Sequence, residues 1–76
     1  MEKKLSDLEP GQSGIITKFS STEIYLKLME MGCLPGELIV LEKVAPFGDP
    51  ISVSISGYSL SLRLNEAENI IVDINN

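Results

Sequence analysis

The chain is 76 residues long and 43% hydrophobic, and its 11 acidic and 6 basic residues give a formal net charge of −5. A chain of this size buries only about 60–65% of the surface exposed by its unfolded form. We therefore expect one small domain over residues 1–76, frayed at residues 1–4 and 75–76. Binding to nucleic acid or to an anionic membrane depends on clustered positive charge. The basic residues here are scattered, which argues against both kinds of partner.

Cysteine usage and hydropathy indicate the compartment. Cys33 is the only cysteine, so no internal disulfide can form, which argues against a secreted, disulfide-stabilised domain. The N-terminal residues lack the apolar segment of a signal peptide, and no apolar run reaches the roughly 18–20 residues that cross a bilayer. We therefore expect a soluble cytoplasmic protein that does not insert into a membrane.

The first predicted elements are a strand and the only long helix. β-Branched residues favour a strand over residues 14–19. Ser20 is followed three residues later by Glu23, which is the spacing of a capping box. Gly32 occupies the position typical of a left-handed helix C-cap. These signals together predict a helix over residues 21–31.

The remaining sequence predicts four more strands and one helical turn. The strands are expected at residues 37–45, 51–56, 58–64 and 69–74. In the middle two, apolar side chains at every second position are predicted to face inward: Ile51, Val53, Ile55, Tyr58, Leu60, Leu62 and Leu64. Asn65 and Glu68 have the spacing of a helix N-cap and predict the single turn. This mostly β composition, with about five short strands and one main helix, favours a small SH3-like, partly open β-barrel.

The outward side of the same hairpin is nearly uncharged. Its residues are Ser52, Ser54, Ser56, Ser59 and Ser61. Exposed strands commonly carry Lys or Glu, which protect their edges against pairing with other chains. A neutral face is compatible with solvent, the interpretation that we favour, and also with packing against another subunit.

The predicted helix is more apolar than a helix lying on a small barrel requires. At about 100° per residue, its apolar side chains span roughly 220°, whereas a surface helix needs an arc of only about 100° or slightly more. Three residues are expected to face the core: Ile24, Leu28 and Met31. Three others are left at least partly outside and are candidates for binding a partner or a second copy: Tyr25, Leu26 and Met29. Alternatively, loop residues such as Phe47 or Leu34 fold over this flank.

Met29, Met31 and Cys33 lie close together in the sequence, and soft metals such as Cu(I) bind thioether and thiolate ligands. Met29 and Met31 nevertheless point about 200° apart on a helix, and Cys33 lies beyond the Gly32 cap. Packing of Met31 and Cys33 against Leu34 is therefore the favoured interpretation.

The sequence contains no recognisable catalytic arrangement. It has no histidine, no nucleophile beside a base, and no glycine-rich phosphate-binding loop. We therefore expect no enzyme activity, no nucleotide binding and no cofactor.

The order of two segments is distinctive: a helix ending in LMEMGCLPGE, and later APFGDPISVSISGYSLSLRLNEAENIIVDI. Together they resemble the FeoA family of ferrous iron transport proteins, and the resemblance extends from Leu5 to Ile74. The matching positions are Leu28, Gly32, Pro35, Gly36, Gly48, Asp49, Pro50, the Leu62-Arg63 pair, and Glu66-Ala67 before Ile71-Val72. Lys27 stands where many members have arginine.

The resemblance implies a fold and a partner. It implies an SH3-like barrel with an added helix in the bacterial cytoplasm. The implied partner is FeoB, the membrane ferrous-iron transporter with a cytoplasmic GTPase domain, whose assembly or nucleotide cycle the protein would modulate. Association with transition metals is commonly presumed for the family, although this sequence shows no set of ligands.

The resemblance also leaves a second hypothesis. The same barrel occurs as the C-terminal domain of iron-dependent repressors, whose DNA-binding and metal-sensing parts this chain lacks. The alternative is therefore a free-standing barrel whose oligomeric state or choice of partner responds to Fe(II).

Overall fold

The computed structural model describes residues 1–74, which form one antiparallel sheet of six strands with two α-helices. The elements are β1 (Glu2–Lys4), a 3-10 turn (Leu5–Asp7), β2 (Ser13–Phe19), α1 (Thr22–Glu30), β3 (Leu38–Val44), β4 (Ile51–Ile55), β5 (Tyr58–Leu62), α2 (Leu64–Ala67) and β6 (Ile70–Asp73). The strand order β1-β6-β2-β3-β4-β5 places β1 and β5 at the two edges. The sheet is therefore not closed, which confirms the predicted partly open, mostly β architecture with one main helix.

One face of the sheet, helix α1 and the 3-10 turn enclose the core. Its buried residues are Leu5, Leu8, Ile16, Leu28, Cys33, Ile39, Leu41, Ile51, Val53, Ile55, Leu62, Ala67, Ile70 and Val72. The alternation predicted for the β4–β5 hairpin is confirmed at four buried positions, and Leu60 is partly buried against the core. It is wrong at Tyr58, which is 71% exposed, and at Leu64, which begins α2 because β5 ends at Leu62. Tyr58 lies on edge strand β5, whereas its cross-strand partner Ile55 on β4 is buried, so the tyrosine side chain lies at the border of the core. Within residues 1–74, no helix is long and apolar enough to cross a lipid bilayer.

Strand β1 occupies residues for which the sequence analysis expected a frayed terminus. Glu2, Lys3 and Lys4 pair with β6 in antiparallel register, with Lys3 opposite Val72. Glu2 also accepts a hydrogen bond from the Thr17 hydroxyl at 3.1 Å. The three side chains are exposed and charged. The sequence therefore shows no alternation of apolar residues that would predict this strand. Only its backbone pairing with β6 defines it. The other residues expected to fray, 75–76, lie outside the described part of the chain.

The helix N-caps differ from the predicted ones by one or two residues. Ser21, and not Ser20, caps α1, because its hydroxyl oxygen accepts the backbone N–H of Glu23 at 3.3 Å. The Ser20 hydroxyl instead donates to the side-chain oxygen of Asn69. At α2, the cap lies at Arg63. The single turn was thus predicted correctly, but its start at Asn65 was wrong.

A Schellman motif ends helix α1. The N–H of Gly32 donates to the carbonyl oxygen of Met29 at 3.0 Å, and the N–H of Cys33 donates to that of Leu28 at 2.9 Å. Carbonyl groups in the last turn of the helix are satisfied in this way. The reversal requires a φ of +98° at Gly32, a conformation that a β-carbon disfavours. The predicted C-cap is confirmed.

We expect Gly32→Ala to lower the free energy of unfolding by about 1–2 kcal/mol, the cost of holding an L-residue in the left-handed region. Urea unfolding followed by circular dichroism measures this difference. Glu30→Ala, an exposed change in the last turn of the same helix, is the control and should alter stability by less than about 0.5 kcal/mol. Equal stability of the two variants would contradict the assignment of the cap.

Candidate interaction surface on helix α1

Helix α1 is attached to the sheet by one side. Leu28 is fully buried, and Ile24 and Met31 are partly buried against the core. These positions are three or four residues apart and therefore lie on one helix face. The prediction of the inward-facing residues is confirmed.

The opposite flank of α1 is apolar and exposed. Leu26 is 69% exposed, Tyr25 is 39% exposed, and Met29 is half-buried. Met29 lies three residues after Leu26 and four after Tyr25, so the three side chains are neighbours on the helix surface. The ring of Tyr25 packs edge-to-face on Phe19, with centroids 5.4 Å apart, which limits its movement. We call Tyr25, Leu26 and Met29 the helix flank; their role in binding stays a prediction.

Phe47 and Leu34, the two loop residues that could fold over the helix flank, do not shield it from solvent. Phe47, in the loop between β3 and β4, is 100% exposed and therefore packs on nothing. Leu34 is 38% exposed, and it lines a groove at the C-terminal end of α1. Leu26 therefore remains exposed.

The sequence pattern did not predict this groove. It has a volume of about 390 Å³ and runs from the end of α1 to the β4–β5 hairpin, where Met31, Leu34, Tyr58 and Leu60 provide apolar walls. Alternation predicts that Tyr58 faces the core, and it cannot distinguish an edge strand from a central one. Closeness to the Gly57 turn is no signal either, because Ile55 on the other side of the turn is buried.

A buried carboxylate connects α1 to α2. Glu66 is 5% exposed and accepts hydrogen bonds from the Lys27 ammonium at 2.6 Å and from the Arg63 N–H at 2.8 Å. The hydrogen bond from Lys27 lowers the pKa of Glu66 below its ordinary value, although burial acts in the opposite direction. The backbone N–H and the positive charges of Lys27 and Arg63 lower the pKa further. Glu66 is therefore ionised in the folded protein at neutral pH.

Cys33 lies in the core next to this carboxylate. Its side chain has no solvent exposure, and burial raises the pKa of its thiol, which the negative charge of Glu66 raises further. The thiol is therefore protonated at neutral pH, whereas metal ligation requires the thiolate. The prediction that Cys33 is a small buried hydrophobe is confirmed. Among residues 1–74, no three His, Cys, Asp or Glu side chains are placed to hold a metal ion.

The Gly48-Asp49-Pro50 motif forms the connection between β3 and β4. Asp49 accepts the backbone N–H of Leu64 at 2.9 Å, and its carboxylate lies 3.8 Å from the Arg63 guanidinium. The structure thus brings together two motif positions that are 14 residues apart in sequence. The Pro35-Gly36 turn lies against β2, where the N–H of Gly36 donates to the carbonyl of Ile16 at 2.7 Å. Both motifs hold loops against the sheet.

The open sheet, the single helix on one face and the short α2 turn define a small SH3-like barrel with an exposed helix flank. Residues 3–74 match the family described as the FeoA domain. The chain therefore belongs to the FeoA family, as the resemblance of its motifs indicated.

Three relatives illustrate the family. The chain is 32% identical over 72 residues to an Fe(2+) transport protein A/Fe(2+) transporter FeoB fusion protein of Porphyromonas gingivalis, covering 93% of this chain but only 8% of that protein. A FeoA-like protein of Clostridium acetobutylicum superposes with a TM-score of 0.91 at 34% identity, covering 99% of this chain and 88% of the other. A zinc-complexed FeoA of Stenotrophomonas maltophilia, described as a prokaryotic SH3 domain protein, gives 0.80 at 26% identity over 93% and 89% of the chains.

The same fold occurs in a repressor. A manganese-dependent transcriptional repressor superposes with a TM-score of 0.87 at 18% identity, covering 97% of this chain and 42% of that one. At this level of identity, the likeness concerns the fold alone.

We expect Lys27→Met to lower the free energy of unfolding by about 1 kcal/mol at pH 7; the 65% exposure of the lysine side chain keeps the value small. Because the folded-state pKa of Glu66 is lowered, the stabilisation is complete above the ordinary glutamate pKa of 4.5. It is lost as the pH falls through the lower, folded-state value. The difference between wild type and variant should therefore shrink in acid.

Urea unfolding at several pH values tests this expectation. Lys18→Met is the matched control, because Lys18 pairs with Glu2 at 3.5 Å between two exposed side chains and should contribute little at any pH. If Lys27→Met lowers the free energy of unfolding by the same amount at every pH, the contact with Glu66 is not the cause of the destabilisation. The same conclusion follows if the two variants lose equal stability.

We expect Cys33→Ser to leave metal content unchanged and to destabilise the fold by about 1–3 kcal/mol, because a hydroxyl replaces a buried thiol. Purified wild type and variant are compared by elemental analysis and thermal unfolding. Stoichiometric metal in the wild type that is lost in the variant would overturn the packing role of Cys33.

Proposed function

We propose that the chain is a cytoplasmic accessory protein of ferrous-iron uptake that binds the cytoplasmic region of a FeoB-type transporter through the helix flank. The observation that carries this proposal is the exposure of Leu26, in an apolar cluster with Tyr25 and Met29. Such clusters on small soluble domains are typical of interaction surfaces. The flexible thioether of Met29 suits a surface that adapts to a partner.

The fusion protein of Porphyromonas gingivalis supports the choice of partner. It joins a transport protein A segment and a FeoB transporter in one polypeptide, and this chain spans about 8% of its length. A covalent connection keeps two domains at high effective concentration, which favours a contact between them. A chain that is not fused to the transporter lacks this covalent connection, so it must reach the transporter through a binding surface of its own.

The electrostatics of the flank are consistent with protein binding. Glu23 and Glu30 lie on the exposed side of α1, and Lys27 is engaged by Glu66 at 2.6 Å. The flank is therefore an apolar centre with an acidic border, which fits a partner surface that carries apolar residues bordered by Lys or Arg. Apolar centres with polar rims are typical of specific interfaces.

The proposed role requires no catalysis and no resident cofactor. Fe(II) is the cargo of the transporter, and the accessory protein acts by contact. The alternative, a free-standing metal-responsive barrel, derives support from the zinc-complexed relative. Anaerobic Fe(II) titration separates the two hypotheses: weak, non-stoichiometric binding supports the accessory role, and stoichiometric uptake supports the metal-responsive one.

We expect Leu26→Glu to weaken binding to the cytoplasmic region of the transporter roughly tenfold to a hundredfold, as loss of an apolar anchor commonly does. Its thermal midpoint should stay close to that of the wild type, since the side chain is 69% exposed. Leu28→Glu should instead unfold the domain, because a buried, unpaired carboxylate costs several kcal/mol. Isothermal titration calorimetry and thermal unfolding measure the two effects.

Ser13→Glu, an exposed position on β2, controls for the added charge and should bind like the wild type. If Leu26→Glu binds the transporter as tightly as Ser13→Glu does, the helix flank is not the docking surface. Unfolding of Leu26→Glu to the same degree as Leu28→Glu would place Leu26 in the core.

A further inference from the structure

The two edges of the sheet differ in how they are protected. Edge strand β1 consists of Glu2, Lys3 and Lys4, all charged and exposed. Charged residues on an edge strand oppose pairing with another chain. The other edge belongs to the β4–β5 hairpin, and residues 51–62 contain no charged residue. The β5 edge therefore lacks this protection.

The hairpin turn shows which backbone groups of β5 face outward. Ser56 and Gly57 have φ values of 51° and 82°, as a two-residue type I′ turn requires. In such a turn, the N–H of the residue after the turn bonds to the carbonyl of the residue before it. Tyr58, which lies opposite Ile55, therefore forms a hydrogen-bonded pair with it.

Hydrogen-bonded and non-hydrogen-bonded pairs alternate along an antiparallel ladder. Leu60 and Leu62 consequently direct their backbone N–H and C=O groups toward β4, and Ser59 and Ser61 direct theirs away from it. Within residues 1–74, β5 pairs with β4 alone, and no other backbone or side-chain group bonds to the main chain of Ser59 or Ser61. Two donors and two acceptors are thus available along this edge.

We propose that β5 pairs antiparallel with β5 of a second copy of the chain, which forms a two-fold symmetric dimer with one continuous sheet. A register centred on Leu60 places Ser59 opposite Ser61 of the second copy and Ser61 opposite Ser59. Each of these two pairs exchanges two backbone hydrogen bonds, so all four outward groups are satisfied. Leu60 then faces its own equivalent across the axis as a non-hydrogen-bonded pair, in which side chains approach closely.

The uncharged β5 edge suits a second copy as its occupant, although the net charge of the two chains opposes their association. Two chains of net charge −5 repel each other, and acidic residues border the helix flank. Pairing along β5 brings together two uncharged segments, residues 51–62 of each copy. The paired strands therefore bring no charged side chains of their own together, and Glu30 is the charged residue that lines the adjoining groove.

The neighbouring groove adds apolar contact to the same interface. Leu60 and Tyr58 line it together with Met31 and Leu34, and Tyr58 is 71% exposed. In the proposed register, Tyr58 lies opposite Leu62 of the second copy. One strand pair and this groove form a small contact compared with the roughly 1,200–2,000 Å² of stable interfaces. The dimer is therefore concentration-dependent.

Paired charge variants at positions 59 and 61 test the register. Both side chains are exposed, so neither change disturbs the core. Ser59→Lys/Ser61→Lys places like charges opposite each other twice across the two-fold axis. Ser59→Lys/Ser61→Glu places opposite charges there. The lysine introduced at position 59 lies beside Glu42, to which the Ser59 hydroxyl now donates at 3.4 Å, and this contact is the same in both variants.

Sedimentation velocity from about 10 µM to 1 mM should show a growing dimer fraction for the wild type, as expected for a small interface. The double-lysine variant should have a dissociation constant at least roughly tenfold higher, whereas the lysine–glutamate variant should dimerise as tightly as the wild type or more tightly. The double-lysine variant reduces the net charge from −5 to −3. If net repulsion between the copies decided the result, the double-lysine variant would therefore dimerise more tightly than the lysine–glutamate variant.

Amide hydrogen exchange locates the contact directly. Exchange at Ser59 and Ser61 should slow as the concentration rises, while exchange along α1 stays unchanged. A wild-type chain that is monomeric at about 1 mM, a concentration at which even small interfaces are occupied, overturns the proposal. Equal dissociation constants for the two charge variants also overturn it. Loss of the dimer in Leu26→Glu would do the same, because it would place the contact on the helix flank. The proposal does not depend on transporter binding, which uses a different surface.

Discussion

Burial of the Leu28 side chain determines the orientation of α1, the longer of the two α-helices within residues 1–74. Leu28 has no solvent exposure, and its carbonyl oxygen accepts the N–H of Cys33 in the motif that ends the helix. Once this residue faces the core, the 100° step of the helix places Leu26 about 200° away from it. The exposed flank is therefore a geometric consequence of how the helix is attached.

The Lys27–Glu66 contact fixes the same helix from its side. A carboxylate that is 5% exposed requires hydrogen-bond donors, and it has two, from α1 and from the residue before α2. Glu66 thus connects two helices that are far apart in sequence. Because the neighbouring Arg63 also contacts Asp49, the loop before β4 is held at the same end of the sheet.

The sequence predicted features that depend on local patterns and missed those that depend on tertiary position. The five main strands, the C-terminal end of α1 and the inward positions of β4 follow from periodicity, turn residues and capping. Strand β1 was not predicted, because its three side chains are charged and exposed and only backbone pairing with β6 defines it. Tyr58 was misplaced because strict alternation cannot distinguish an edge strand from a central one.

The candidate surface was predicted in part. An apolar arc wider than one face identified Leu26, Tyr25 and Met29 from helix geometry alone. The adjoining groove was not predicted, since it forms only where Leu34 and Tyr58 meet across the fold. The ionised state of Glu66 was also beyond sequence reasoning, because Lys27 and Glu66 are 39 positions apart and no local pattern links them.

The burial of Cys33 has a consequence for the chemistry of oxidation. Peroxide attacks the thiolate form of cysteine, the first step toward sulfenic and sulfinic acids. Burial and the adjacent Glu66 carboxylate raise the pKa of the Cys33 thiol, so the reactive form is scarce, and the side chain has no exposure to solvent. The single cysteine of this FeoA domain is therefore protected against oxidation by peroxide.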